Sequence, residues 1–285
     1  MGFRSIFVLA VLMGVRGSPT PGAASADVAA HSKMTPETAE ETGQNLVLGV
    51  EDNVMATGEL KPNHYPAQRA AKVVQHYLNT RYGSPYRLFG LQRVHSGNAE
   101  DVADSGRKYQ LEISVQEIIS NMTQKCSAEV FFPRGEKSLL AQVKASPCEE
   151  LLNNDTKAQE EALYQQYKNN QSLLSAQYLP DSYGHIEPDM KPFWHLAIVA
   201  SSSIMLNEST QDTLYNMAQV ANITQLATEN EQLKFQCHVL LHELVSQEIL
   251  HWKLLFTWSP AGGVNVLEME QLPHCHDCEK PPTTN

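Results

Sequence analysis

The pair His242–Glu243 stands inside an apolar run, residues 239–252, as it does in the metal-binding helix of zinc metalloproteases. That motif needs a second histidine four residues after the first, so that two imidazoles on one helical face hold the zinc ion. The required position holds Ser246, and His251 would lie about 180° round a helix from His242. No Ser-His-Asp order, phosphate loop or catalytic carboxylate pair can be argued either. We therefore expect a protein that is not an enzyme and that holds no cofactor or metal.

The first half of the chain has the pattern of one helix followed by several strands. A helix is predicted from Tyr65, with Pro66 at an early position, a recurrent apolar stripe and Gly83 after its end. Extended segments are predicted after it, at residues 86–95, 109–119, 127–132 and 139–145. This order predicts a helix followed by an antiparallel meander.

The same order returns in the second half of the chain. Pro192 precedes an apolar helix predicted over residues 193–206, and strands are predicted at residues 214–226, 232–241 and 251–258. Two of these strands alternate between apolar and polar positions, which is typical of a sheet with one buried face. Each half is therefore predicted to be one helix on a small antiparallel sheet, which is an α+β fold.

A connecting helix is predicted between the halves, over residues 156–174, because this Gln- and Ala-rich segment lacks Pro and Gly. We expect it to pack between them through Leu163, Tyr164 and Tyr167; a helix that spans solvent is the alternative. The apolar run that contains His242 could by itself form a helix or a strand. Since strands flank it on both sides, residues 242–250 are predicted to form a strand end and its hairpin.

The start of the chain differs from its middle. Residues 1–17 combine Arg4 with a short apolar run and small residues, which predicts a secretory signal peptide; a retained signal-anchor is the alternative. Residues 18–60 hold seven acidic side chains against Lys33 alone and no aromatic residue, which predicts a disordered acidic arm. The net charge is −11 without a basic patch, so nucleic acid is not an expected partner. Nor do we expect a membrane partner once the signal is cleaved.

A secreted chain with many Asn-x-Ser/Thr sequons is predicted to be a glycoprotein, because a sequon that carries glycan must lie at the surface. We expect some, though not all, of the sequons to be used. Their asparagines are Asn121, Asn154, Asn170, Asn207 and Asn222.

Four segments resemble the latexin family of metallocarboxypeptidase inhibitors. They are "NHYPAQRAA" (residues 63–71), "KCSAEVFFP" (125–133), "PDSYGHIEPDM" (180–190) and "LLHELVSQEI" (240–249). The resemblance implies two cystatin-like halves, residues 61–150 and 192–270, joined by a helix and loop at residues 151–191 and followed by a flexible tail, residues 271–285. The signal peptide and the KCSA pattern with its later Cys148 resemble the secreted branch of the family, which includes an eggshell-matrix protein.

The resemblance implies that the chain blocks the active-site funnel of an A-type zinc metallocarboxypeptidase. In the family, the segment that matches residues 242–248 lies in the contact with the enzyme. His242 and Gln247 keep the family's residue types, and Gln247 is the candidate that points into the funnel; polar hairpin residues without a partner are the alternative. Glu243 replaces the Asn of the inhibitory type, and its charge would either strengthen the contact or spoil its shape.

Two other functions are alternatives to this one. The first is an acidic extracellular-matrix glycoprotein, as in eggshell, that contacts matrix proteins or calcium mineral and inhibits nothing. The second is cysteine-protease inhibition, for which cystatins use a Gln-x-Val-x-Gly hairpin. Residues 92–97, "QRVHSG", would lie at the corresponding hairpin but are one residue too long, so this function is disfavoured.

The cysteines are interpreted in the light of an oxidising compartment. Cys126 and Cys148 are symmetric about a predicted turn at residues 136–137, so they are predicted to face each other on adjacent strands, with Cα atoms within about 7 Å. Cys237 lies on the apolar face of its strand and is predicted to be a buried free thiol. The tail segment "HCHDC", residues 274–278, lacks a second Cys/His pair nearby in sequence, so a local Cys275–Cys278 disulfide is favoured over a zinc site.

Overall fold

The computed structural model describes residues 57–273, except residues 104, 136–139, 147, 154, 171 and 228–230. These residues form two five-stranded antiparallel sheets with helices packed on them. The α+β class and the two predicted sheet halves are therefore confirmed. The expected signal peptide, most of the expected acidic arm and the HCHDC segment lie outside the described residues.

In the first half, the helix α1 (Tyr65–Tyr82) lies on a sheet whose strands pair in sequence order. Its buried face includes Ala67, Ala70 and Ala71, whose small side chains allow the helix to approach closely. The strands are β1 (Gly58–Leu60), β2 (Phe89–Val102), β3 (Gly106–Glu117), β4 (Met122–Pro133) and β5 (Gln142–Ala145).

Two short helices join the halves, α2 (Glu149–Leu152) and α3 (Lys157–Lys168). Leu163, Tyr164 and Tyr167 of α3 are buried in the core of the second half, which confirms a packed helix and excludes one that spans solvent. The helix ends six residues before the predicted limit at residue 174. The physical reason is that the chain from residue 175 onward pairs with the second sheet.

The second half repeats the plan around the helix α4 (Lys191–Asn207). Aromatic rings fill its core, with Phe235 stacked on Phe256 at a centroid distance of 5.4 Å. The strands, which again pair in sequence order, are β6 (Ser175–Leu179), β7 (Tyr215–Leu226), β8 (Leu233–Glu243), β9 (Glu248–Ser259) and β10 (Gly263–Gln271).

The two halves repeat each other at a constant spacing along the chain. Lys191 begins α4 and Tyr65 begins α1, so equivalent residues differ by 126 in number. The same difference separates Glu248 and Met122, which begin β9 and β4. Both β-bulges between β2 and β3 recur at this spacing between β7 and β8. The repeat predicted from element order therefore extends to the register of the strands.

Three strands were not predicted, and all three lie at sheet edges: β1, β6 and β10. The expected acidic arm was extended to Leu60, but Gly58–Leu60 pair with β2 and the Leu60 side chain is buried in the first core. The packed structure thus begins earlier than expected. Similarly, β10 carries the second half to Gln271.

The halves meet where α1 packs against α4. A Cβ atom added to Gly83, at the end of α1, would lie 2.4 Å from the Asn79 carbonyl oxygen and 2.7 Å from Val199 Cγ2 of α4. No larger residue fits between these helices without displacing one of them. Just beyond α1, the Ser84 hydroxyl donates a hydrogen bond of 2.6 Å to the Glu160 carboxylate of α3. These contacts fix the halves to each other.

A disulfide joins Cys126 and Cys148, as predicted, with a Cα–Cα distance of 5.9 Å. The expectation that both cysteines lie on adjacent strands was wrong. Ala128 of β4 pairs with Ala145 of β5, and β5 ends there, so Cys148 lies beyond the strand at the start of α2. The bond therefore ties the interior strand β4 to the linker between the halves.

The buried histidine of α1 lies at the junction of the halves. Burial and the nearby Lys72 charge lower the pKa of His76 to about 3. A hydrogen bond with the backbone of Tyr215, in the second half, raises the pKa but does not offset these two effects. His76 is therefore neutral in the folded protein at any pH above about 4. In the unfolded chain the same ring takes up a proton below about pH 6.5.

This difference predicts that His76 makes the protein acid-sensitive. The unfolded state binds the extra proton, so the stabilising contribution is complete above about pH 6.5 and is lost as pH falls toward 3, by at most about 1.4 kcal/mol per pH unit. Urea unfolding between pH 6.5 and 5 should show a shallower pH dependence for His76→Leu than for the wild type. His64→Leu, at an exposed position, is the control. Equal slopes for His76→Leu and the wild type would contradict the assignment.

Candidate functional site

The hairpin between β8 and β9 carries the predicted contact residues. Glu243 ends β8, residues 244–247 form the turn and Glu248 begins β9. The predicted hairpin is therefore confirmed, and the segment is not part of a helix. Gln247 has a φ of 63°, in the left-handed region that costs a residue other than glycine about 1 kcal/mol. Other contacts must hold the turn in this shape.

The Glu243 carboxylate holds the turn from inside. One of its oxygens accepts hydrogen bonds from the backbone N–H groups of Leu214, at 2.8 Å, and Val245, at 3.1 Å. The other accepts one from the backbone N–H of Ser246, at 2.5 Å. The side chain is buried, with 6% of the residue exposed. A single carboxylate thus satisfies two donors of the turn and one donor of the segment that precedes β7.

Two opposing effects act on the pKa of this carboxyl group. Burial disfavours the charged form and raises the pKa of Glu243, but the hydrogen bonds from Leu214, Ser246 and Val245 favour it and prevail. The pKa therefore lies below its ordinary value, and the group is ionised at neutral pH. Hydrogen bonds to an ionised acceptor are stronger than those between neutral groups, which suits a residue that must keep Gln247 in a strained conformation.

The first half contains the same arrangement in the hairpin between β3 and β4. The Glu117 carboxylate accepts hydrogen bonds from the backbone N–H groups of Leu88, at 3.1 Å, Ile119, at 3.1 Å, and Ser120, at 2.7 Å. Asn121, which is equivalent to Gln247, has a φ of 61°. The matching segments are "EIISN" at residues 117–121 and "ELVSQ" at residues 243–247, a similarity that the order of elements alone does not reveal.

The three predicted contact residues do not share one environment. His242 is half-buried on the sheet face away from α4, and Gln247 is exposed at the turn. Glu243 was expected to place its charge beside an enzyme, but its carboxylate points into its own turn and is bound by backbone groups. In the structure Glu243 positions the turn, and its contact with an enzyme stays a prediction.

Two apolar residues of the hairpin were missed by sequence analysis. Val245 is 46% exposed in the turn and Ile249 is 38% exposed opposite His242. Both belong to the apolar run that contains His242, and no role was predicted for either. Their exposure could be predicted only once the hairpin turn was placed at residues 244–247.

The segment considered for cysteine-protease inhibition forms no hairpin. Residues 92–97 lie inside β2 and pair with β3, and Gly97 also pairs with Leu60 of β1. A Gln-x-Val-x-Gly loop needs a free tip, whereas this segment lies inside β2 and is paired with β3. The expectation that it occupies a hairpin is therefore wrong, and the function stays disfavoured.

Comparison with known proteins decides the family. A sequence model described as Latexin matches residues 60–276, which is most of the chain. The chain belongs to the latexin family. It is 35% identical to mouse latexin over 216 residues, which cover 75% of this chain and 97% of latexin. It is 32% identical to human retinoic acid receptor responder protein 1 and 29% identical to chicken ovocalyxin-32, with 75% and 73% of this chain and 73% and 74% of those proteins covered.

The remaining predicted sites of this latexin-family chain are distributed over its surface and core. Asn121, Asn170 and Asn222 are exposed and Asn207 is half-buried, while Asn154 lies outside the described residues. Cys237 is a buried free thiol, as predicted, and burial raises the pKa of that thiol above its ordinary value. Exposure of three sequons is compatible with glycosylation.

Removing the turn carboxylate should destabilise this latexin-family fold. Glu243→Ala leaves three backbone N–H groups without their acceptor and should lower the free energy of unfolding by about 2 to 3 kcal/mol, as measured by urea unfolding. Glu117→Ala is the matched variant in the first half and should cost at least as much, because Glu117 is fully buried. A change below about 0.5 kcal/mol for Glu243→Ala would show that the carboxylate does not hold the turn.

Proposed function

We propose that this protein inhibits an A-type zinc metallocarboxypeptidase by covering its active-site funnel with the β8–β9 hairpin. The observation that carries the proposal is an exposed turn that is held from inside by a buried carboxylate, in a chain of the latexin family. The role is one of binding and not of catalysis. The hairpin would block access to the active site without being cleaved.

The rigidity of the turn supports this role. A loop that is already ordered loses little conformational entropy on binding, so more of its contact energy becomes affinity. Glu243 provides that order without using any atom on the outer surface of the turn. The outward residues are then free to match the enzyme. An inhibitor of this kind needs only a standard interface, on the order of 800 Å² per partner.

Gln247 suits the central position of such a contact. Its amide is neutral and can both donate and accept a hydrogen bond, so it can meet a catalytic water without presenting a substrate-like carboxylate. In the free protein its Nε2 donates to the carbonyl oxygen of Leu244, which leaves its carbonyl oxygen available. The exposed side chains of Val245 and Ile249 can exclude water from the contact around it.

We further propose that the protein is a secreted glycoprotein of an extracellular matrix. Support comes from the signal-like residues 1–17, from exposed Asn121, Asn170 and Asn222, and from the likeness to ovocalyxin-32. Among the described residues, no helix is long and apolar enough to cross a bilayer. Mass spectrometry of the protein released by expressing cells tests both parts, because it reports cleavage and glycan together.

The second candidate function is that of an acidic matrix glycoprotein that contacts matrix proteins or calcium mineral and inhibits no enzyme. The net charge of −11 favours this function, since acidic chains attract cations and basic partners. The two functions are distinguished by titrating the purified protein against an A-type carboxypeptidase. Failure to inhibit any such enzyme at micromolar concentration would overturn the inhibitor and leave the matrix function.

Removing the Gln247 side chain should weaken inhibition and preserve the fold. Gln247→Ala should raise the inhibition constant by the equivalent of about 1 to 3 kcal/mol, because a central buried amide is lost. Gln247→Gly removes the same side chain but favours a φ of 63°, so it should weaken inhibition equally while leaving unfolding unchanged or slightly less favourable. Enzyme titration and urea unfolding provide the two measurements.

The first half offers the matched control for this experiment. Asn121→Ala makes the same kind of change in a turn of the same shape, but outside the proposed contact. It should leave inhibition unchanged in protein made without glycans, which avoids the sequon at Asn121. If Asn121→Ala weakens inhibition as much as Gln247→Ala, the β8–β9 hairpin is not the specific contact.

A further inference from the structure

The segment between α4 and β7, residues 208–214, supports the β8–β9 hairpin at one of its ends. Leu214 exchanges two hydrogen bonds with that hairpin. Its N–H donates to the Glu243 carboxylate at 2.8 Å, and its carbonyl oxygen accepts from the N–H of Leu244 at 2.8 Å. The position of the turn is therefore tied to the position of Leu214.

A residue of the first half holds the same segment a few residues earlier. Arg69, on α1, donates a hydrogen bond from Nη1 to the carbonyl oxygen of Gln211 at 3.1 Å, and its side chain is only 14% exposed. Its Cζ lies 5.7 Å from the centroid of the Tyr65 ring. Nη1 is also 3.8 Å from the Asp212 carboxylate, but that side chain is exposed, so the ion pair adds little. The charged bond to the Gln211 carbonyl is thus the main contact.

The segment is short and internally bonded between these two contacts. Only Asp212 and Thr213 separate Gln211 from Leu214. The Thr213 hydroxyl accepts a hydrogen bond from the backbone N–H of Thr210 at 2.8 Å, and the Thr210 hydroxyl accepts one from the N–H of Asp212 at 3.2 Å. A segment held in this way passes a displacement of Gln211 on to Leu214.

The same connection exists with the two halves exchanged. His195, on α4, is equivalent to Arg69 at the spacing of 126 residues, and its Nδ1–H donates to the carbonyl oxygen of Pro85 at 2.6 Å. Three residues after Pro85, the N–H of Leu88 donates to the Glu117 carboxylate at 3.1 Å. Each central helix therefore reaches across the junction to the segment that supports the hairpin of the other half.

We propose that Arg69 is a positioning residue for the β8–β9 hairpin: through Gln211 and Leu214, the first half sets the position in which this hairpin meets its enzyme. The inference rests on the proposed function and adds that the contact hairpin of one half depends on the helix of the other. A binding site must be held within about 0.5 Å of its productive geometry. A small shift of Leu214 is therefore enough to weaken the contact.

Hydrogen exchange of single amides in the free protein, measured by NMR, tests the positioning role. Arg69→Met keeps the apolar stem of the side chain but removes the donor to Gln211. The amides of residues 244–246 should then exchange at least about tenfold faster, while the equivalent amides of residues 118–120 keep their wild-type rates. Arg69→Lys, which keeps one charged donor, should restore most of the protection.

His195→Leu is the matched control, because it removes the equivalent bond in the opposite direction. It should accelerate exchange at residues 118–120 and leave residues 244–246 unchanged. A general loosening of the junction would instead accelerate both hairpins in both variants. That result, or unchanged exchange at residues 244–246 in Arg69→Met, overturns the proposal.

A variant of the segment itself gives an independent test that leaves the junction intact. Thr213→Val removes the hydroxyl that accepts from Thr210 and keeps the shape of the side chain. It should also accelerate exchange at residues 244–246 and not at residues 118–120. Far-UV circular dichroism checks that each variant is folded. Wild-type exchange in Thr213→Val would contradict a path through this segment.

Titration against an A-type carboxypeptidase measures the consequence for binding. The inhibition constant should rise at least about fivefold in Arg69→Met, because part of the contact energy is then used to order the hairpin, and should be unchanged in His195→Leu. Faster exchange without weaker inhibition in Arg69→Met overturns the role in binding. If the wild type inhibits no such enzyme, the proposed function fails, whereas the exchange rates still decide whether Arg69 positions the hairpin.

Discussion

The packing of α1 against α4 is the constraint on which the rest of the structure depends. Each helix covers its own sheet and also contacts the other, so a shift of either helix would disturb two cores. Gly83 leaves no space for a side chain between Asn79 and Val199, which limits where the helices can lie. The buried polar residues of the junction, His76 and Glu160, have their environments set by this packing. The two halves therefore pack against each other through these helices.

The two equivalent hairpins share the buried residues that hold the turn but differ in the residues exposed on its surface. In both hairpins a glutamate binds three backbone N–H groups and holds a residue at positive φ. The outer residues differ: Gln116 donates to the Asn121 amide oxygen in the first half, whereas the equivalent His242 is not bound to Gln247. The internal carboxylate maintains one turn shape while the exposed positions diverge.

The elements that could be predicted from the sequence are those with strongly periodic burial. The helices α1 and α4 and the central strands β3, β8 and β9 could be predicted, because each buries one face and so imposes a pattern on the chain. The edge strands β1, β6 and β10 could not, since an edge strand pairs on one side only and β10 exposes most of its side chains.

The site was only partly predictable for a different reason. The hairpin and the two cysteines of the disulfide followed from local pattern and symmetry. The burial of Glu243 did not, because it arises from the approach of Leu214, a long-range contact, and an acid in a turn ordinarily faces solvent. Cys148 was misplaced because β5 ends before the register reaches it. A residue-by-residue comparison of the halves would have matched Glu243 with buried Glu117.

Amide hydrogen exchange of the protein bound to an A-type carboxypeptidase tests the central claim most directly, because it compares the two equivalent turns in one molecule. The account predicts that exchange slows at residues 244–249 in the complex, while residues 118–123, held by Glu117 in the same way, exchange at an unchanged rate. Equal protection of both turns, or no protection of the β8–β9 turn in a complex that inhibits the enzyme, would contradict it.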